Sequence, residues 1–144
     1  MVDCLILNQA ALDFYSSNSA NRSGGGPIPE DRIAELAQQL VARGVKTVVV
    51  TRSAQGGLVC ARGGKTFAFK SFTVKAVDST GARDAFCAAL SVGMAEGMPL
   101  EQAVRFAAGA GALACTRFGA QPSMPWRHEV EAMLETEKEE GTGQ

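Results

Sequence analysis

The chain reads as an α/β layered domain, and three local patterns predict it. Residues 45–51 are a β-branched run of the fully buried kind found in parallel sheets. Between Pro29 and Gly44 the apolar residues Ile33, Leu36, Ala37, Leu40 and Val41 recur on one face of a helix. Strand-like and helix-like segments alternate from the first residues onward, which is the order of a layered sheet with flanking helices.

Taken in order, residues 2–7 form a short apolar run closed by Asn8 and read as a buried strand. Residues 9–17 suit a short helix with Leu12, Phe14 and Tyr15 as its apolar members. Residues 18–29 are rich in Ser, Asn and Gly and read as a mobile surface loop. The helix after Pro29 has Glu30 and Asp31 in its first turn, where the positive end of the helix dipole favours them. Residues 57–61 and 66–70 make a hairpin around Gly63-Gly64. Residues 72–78 read as a further strand entering a glycine-containing turn. A helix rich in small residues then spans 82–96 and stops at Gly97. Pro99 opens the next helix, a turn follows at Phe118-Gly119-Ala120-Gln121, and a last helix covers about 126–135. The expected organisation is a single domain over 1–136, with a frayed acidic and glycine-rich tail over 137–144.

Composition narrows the function classes. Hydrophobic residues are 46% and charged residues 20%, with a formal net charge of −1. That balance gives no electrostatic case for nucleic acid or an anionic membrane as partner. No apolar run approaches the length of a bilayer span, and the first residues lack the pattern of a secretory signal, so a cytoplasmic location is expected. Cys4, Cys60, Cys87 and Cys115 are far apart and the chain has one histidine, His128, so no zinc is expected. All four thiols are expected to be buried, and His128 to lie on the surface.

The chemistry concentrates in Val77-Asp78-Ser79-Thr80-Gly81-Ala82-Arg83-Asp84-Ala85-Phe86. The unpaired amides of a helix N-terminus, at the positive end of its dipole, suit a phosphate or a developing anion. Asp84 in that first turn can serve as a base toward a hydroxyl, or can simply complement the dipole.

This stretch resembles the D-T-x-G-A-G-D-x-F signature of the PfkB/ribokinase family of carbohydrate kinases. The resemblance extends to the segment 44–56, to Gly97-Met98-Pro99-Leu100-Glu101-Gln102-Ala103-Val104-Arg105-Phe106, and to Ala114-Cys115-Thr116-Arg117-Phe118-Gly119-Ala120-Gln121-Pro122-Ser123. It implies a ribokinase-like sheet with flanking helices and ATP-dependent phosphoryl transfer to a sugar-type hydroxyl. Asp84 then corresponds to the base, and Gly81, Ala82, Arg83 and Asp84 to the anion hole. Asn8, Thr51, Ser53, Gly56, Gly119 and Ala120 correspond to nucleotide-binding positions. Asp78 falls near a monovalent-cation site. ATP and Mg²⁺ are the implied cofactors.

The pattern also breaks. Arg83 stands where the signature has its second glycine; its side chain either obstructs the phosphate or clamps it. Ala11 replaces the glutamate of N-x-x-E, Ser53 replaces a loop glycine, and Ala108 stands where an asparagine is frequent. Nothing corresponds to the N-terminal, sugar-binding half, so the expectation is a truncated fold completed by self-association, with a homodimer as the commonest solution. Two other readings stay open: a promiscuous phosphate-ester hydrolase or weak ATPase using Arg83, and an inert nucleotide-binding oligomer.

Overall fold

The computed structural model describes residues 2–16 and 28–141. The 18–29 loop lies, apart from its last two residues, outside the described residues. The chain divides into two compact units, Met1–Lys70 and Ser71–Gln144.

The first unit holds β1 (Cys4–Asn8), α1 (Gln9–Ser16), α2 (Glu30–Ala42), β2 (Thr47–Thr51), β3 (Gly57–Ala61) and β4 (Thr66–Phe69). Its strands lie in the order β1-β2-β3-β4. Only β1 and β2 are parallel; β2–β3 and β3–β4 are antiparallel. The buried β2 run therefore belongs to a mixed sheet. Connection length decides this: α1 and α2 provide the long crossover a parallel pair needs, whereas residues 52–56 are too few for one.

Ile33, Leu36, Ala37 and Leu40 of α2 are buried, as their spacing predicts. They share a core with Leu7 of β1, Leu12 of α1, and Val48, Val50, Leu58 and Cys60, the alternating β2 and β3 residues of one sheet face. Gly44 ends the α2 segment with φ of 111°. Helix α1 forms over the expected segment, and its apolar residues divide between core and surface. Leu12 is fully buried, but Phe14 and Tyr15 are each 58% exposed and meet edge to face with ring centroids 5.3 Å apart.

The second unit holds α3 (Ala82–Ala95), α4 (Leu100–Ala114) and α5 (Arg127–Gly141). Helices α3 and α4 come close because small residues face each other. A β-carbon on Gly93 would lie 3.0 Å from that of Ala103, and one on Gly111 would lie 3.1 Å from the Ala82 carbonyl. Gly109 brings α4 similarly close to Val130 of α5. Helix α5 continues to Gly141, over backbone that the sequence assigns to the tail; residues 142–144 lie outside the described residues.

Residues 72–78 are not a strand. The amides of Val77 and Asp78 both donate to the Cys115 carbonyl at the end of α4, at 2.7 and 3.1 Å. Strand propensity is realised only against a neighbouring strand, and here the acceptor is a helix terminus. The cysteine expectation also changes: Cys60 is buried, whereas Cys4, Cys87 and Cys115 are half-buried. His128 is exposed on α5. Among the described residues no helix is long and apolar enough to cross a membrane.

Candidate functional site

In the first unit the expected nucleotide-binding residues gather at one end of the sheet. Asn8 and Thr51 are register partners at the C-terminal ends of the parallel strands β1 and β2, and Thr51 in turn pairs with Gly57. Such strand ends are where open α/β sheets place ligands. Asn8 Oδ1 accepts a hydrogen bond from the Ala11 amide at 2.8 Å and so caps α1, and among the described residues Nδ2 has no acceptor. The Thr51 hydroxyl donates to the Leu7 carbonyl at 3.3 Å, fastening β2 to β1.

The loop after Thr51 is tightly closed. The Arg52 amide donates to the Gly56 carbonyl at 2.7 Å, and the Gly56 amide returns to Ser53 at 3.1 Å. Ser53 takes φ of 52°, alone among the described non-glycine residues in being positive. The loop thus keeps a left-handed backbone at Ser53 despite the missing glycine. Gly56 adopts φ of 80° and ψ of −121°. A β-carbon there would run into the Phe69 carbonyl and sit 2.8 Å from Lys70 Cα. Packing against the end of β4 is therefore sufficient reason for glycine at 56, independent of any ligand.

In the second unit the turn before α3 is fixed from two sides. Asp78 Oδ1 accepts from the Thr80 hydroxyl at 2.6 Å and the Thr80 amide at 3.0 Å, while Oδ2 accepts from the Gly119 amide at 2.8 Å. Gly119 has φ of 88°. A β-carbon on Gly81 would lie 2.5 Å from Ser123 Oγ and 2.9 Å from the Ala120 carbonyl, so residues 120–123 close directly behind the turn. Ser123, fully buried, donates its hydroxyl to that same carbonyl at 2.7 Å. Arg117 pairs with Glu129, which also accepts the Trp126 amide, and this holds the Gly119 loop to the start of α5.

On this support Arg83 and Asp84 are exposed side by side in the first turn of α3. The Ala82 amide is engaged by the Ser79 carbonyl at 3.2 Å, which narrows the expected anion hole. Among the described residues the amides of Gly81, Arg83 and Asp84 have no acceptor, as the first turn of a helix requires. One turn along, burial and then the Asp84 charge push the Cys87 thiol up, against a smaller opposing effect of Arg83. Burial and Asp78 do the same to Cys115. Thiols so raised are poor nucleophiles at neutral pH.

The hydrogen bond from the Thr80 hydroxyl, followed by that from Gly119, holds the Asp78 carboxyl below the usual carboxylate range. A lowered folded value contributes stability above the unfolded value of about 3.9 and loses it as pH falls through the folded one. Asp78→Asn is accordingly expected to lower the thermal midpoint at pH 7 but to lose less on acidification below about pH 4 than the parent chain does. Midpoints measured from pH 2 to 7 test this; parallel curves for the two proteins would refute it.

The residues do not build a metal cage. The three hydrogen bonds at Asp78 leave about one of a carboxylate's four acceptor sites. No group of three or more His, Cys, Asp or Glu side chains suited to a metal occurs among the described residues. Ala11 and Ala108 are half-buried and buried, and offer no ligand side chain.

Sequence reading missed Thr80, Ser123 and the Arg52–Glu30 contact. Thr80 was legible, because Asp-x-Thr before a helix is a local side-chain-to-backbone turn. The other two depend on pairing across 42 and 22 residues, which no local pattern carries.

Comparison with known proteins agrees with the motif. The profile of the pfkB family carbohydrate kinases matches residues 2–127. The chain is 47% identical over 129 residues to a ribokinase of Bacillus subtilis, covering 89% of this chain and 42% of that protein. Arabidopsis thaliana ribokinase complexed with ribose and ATP is similar in structure, with a TM-score of 0.80 and 32% identity, over 92% of this chain and 41% of that one. Ribokinase from Thermotoga maritima gives a TM-score of 0.78 at 35% identity, over 92% and 42% of the two chains. The chain thus spans about two-fifths of the length of these relatives. With the family profile matched over residues 2–127, the chain belongs to the pfkB family of carbohydrate kinases.

Proposed function

We propose that this chain carries the phosphoryl-transfer part of an ATP-dependent sugar kinase, with Asp84 as the base. One observation carries the reading. The exposed Asp84 carboxylate stands beside unpaired amides on a turn held by Asp78 and Gly81. The acceptor hydroxyl would give its proton to Asp84 as its oxygen attacks the γ-phosphorus, and ADP would leave. Charge gathering on the γ-oxygens would meet the amides of Gly81, Arg83 and Asp84 and the Arg83 guanidinium. Within the first unit, Asn8 and the loop from Thr51 to Gly56 are the nucleotide-binding positions of this reading; within the second unit, Gly119 and Ala120 are. Mg²⁺ would arrive on the phosphates of ATP and neutralise part of their charge, since the described residues offer it no cage. The similarity to a ribokinase complexed with ribose and ATP makes a pentose the first acceptor to try. A cytoplasmic site of action belongs to this reading.

Self-association belongs to this reading. Among the described residues β1 has one strand neighbour, and its edge, Cys-Leu-Ile-Leu-Asn, carries no charge and no proline to deter pairing. A homodimer joined through that edge is expected in light scattering at tens of micromolar protein. A monodisperse monomer under those conditions would sink it.

Arg83 favours a second reading. An exposed guanidinium next to unpaired amides suits a phosphate that water attacks, giving a phosphate-ester hydrolase or weak ATPase. A ³¹P NMR time course with MgATP, mixed sugars and a phosphodiester separates the readings. New sugar-phosphate signals support the kinase, and inorganic phosphate or diester loss without them supports the hydrolase. An unchanged spectrum refutes both and leaves a nucleotide-binding oligomer.

A further inference from the structure

Arg52 has an arrangement that neither the fold nor the signature motif requires. It leaves β2 directly after Thr51 and begins the closed loop that ends at Gly56. Its side chain is only 18% exposed, and Nη1 donates to Glu30 Oε2, in the first turn of α2, at 2.8 Å. Its Nε is buried and has no hydrogen-bond partner. A guanidinium turned outward would satisfy every donor in water. This one is held inward by Glu30 with a donor unpaired, so the contact sets its direction at the expense of its solvation. The residue so fixed is hydrogen-bonded through its own backbone to both Gln55 and Gly56 and precedes Ser53, the non-glycine residue with left-handed backbone.

We propose that Arg52 is a positioning residue for the nucleotide: its bridge to Glu30 holds the loop from Thr51 to Gly56 in its bound shape without touching the ligand. The proposal rests on the nucleotide reading given above. A partly exposed ion pair of this kind supports an effect of about fivefold. The loop can reach the same shape without the bridge, but must be ordered when the ligand binds, and affinity falls by that fraction.

The test is calorimetric titration of the full chain with MgATP, comparing Arg52→Gln, Glu30→Gln, the double variant and Arg52→Lys, with thermal midpoints measured alongside. Arg52→Gln and Glu30→Gln are each expected to raise the MgATP Kd about fivefold. The double variant should be no weaker than either, because both remove one shared contact. Arg52→Lys, which keeps the charge pair and lacks Nε, should bind within about twofold of the parent. A change in affinity at an unchanged midpoint separates positioning from a merely structural role. Parent-like binding by both single variants would overturn the proposal. So would additive losses in the double variant, or failure of Arg52→Lys to restore binding, since either would mean that Arg52 contacts the nucleotide itself. A parent chain that does not bind MgATP would overturn the nucleotide reading, and this role with it.

Discussion

Asp84→Asn is expected to lower phosphoryl transfer by a factor of about 10²–10⁴ while leaving the protein folded and able to bind MgATP. Asparagine keeps the shape of the side chain and cannot take up the proton of an acceptor hydroxyl. The fold should tolerate it, because Asp84 is exposed and no hydrogen bond from another part of the chain depends on it. What it loses is its favourable place at the positive end of α3, a contribution of about 0.3–1 kcal/mol. Initial rates of ADP formation with and without ribose, together with the thermal midpoint, measure both effects. The same variant removes the charge that, after burial, raises the Cys87 thiol, so Cys87 should be alkylated faster. That readout reports the neighbourhood of Asp84 even where turnover is undetectable. Transfer within about tenfold of the parent rate would show that another group accepts the proton, and activity that depends on Arg83 instead would move the assignment to the hydrolase.

Gly56→Ala is expected to destabilise the first unit more than any exposed substitution in the site. Two penalties combine. An L-residue at φ of 80° and ψ of −121° carries backbone strain of about 1–3 kcal/mol. The new methyl group would also run into the Phe69 carbonyl and Lys70 backbone, which cannot withdraw without breaking the β3–β4 ladder that pairs Gly57 with Phe69. Together these should exceed about 3 kcal/mol and lower the midpoint by roughly 10 °C, or leave too little folded protein to measure. Gly64→Ala is the matched control. Its φ is 84°, but nothing lies within 4 Å of the added carbon, so only the backbone penalty of about 1–2 kcal/mol applies. Equal losses in the two variants would show that the approach of β4 to Gly56 is not close. The comparison bears on function too, because a glycine in a nucleotide loop invites a ligand-based explanation that packing alone already supplies here.

Much of this protein was determined within short stretches of sequence. The helix after Pro29 follows from Ile33, Leu36, Ala37 and Leu40 meeting on one face. The hairpin follows from two glycines between apolar runs, and Gly63 and Gly64 both take positive φ. The stop of α3 follows from Gly97, with φ of 75°. The place of Asp84, third residue of a helix behind a glycine turn, was legible for the same reason: backbone preference and side-chain period act over a few residues.

What only the tertiary structure decided are the pairings that distant segments must complete. Residues 72–78 have a strand's composition, yet their terminal amides find the Cys115 carbonyl rather than a neighbouring strand. Phe14 and Tyr15 are apolar, yet α1 turns Leu12 and not them into the core. Gly81 looks like a conformational glycine, yet its φ of −89° suits any residue, and it is the hydroxyl of Ser123 that leaves no room for a side chain. Asp78 resembles a ligand, yet Thr80 and Gly119 occupy most of its acceptor capacity. In each case the residue type announces a capacity to pair, pack or turn. Which partner uses that capacity depends on chain segments tens of residues away, and only their close approach in space selects one.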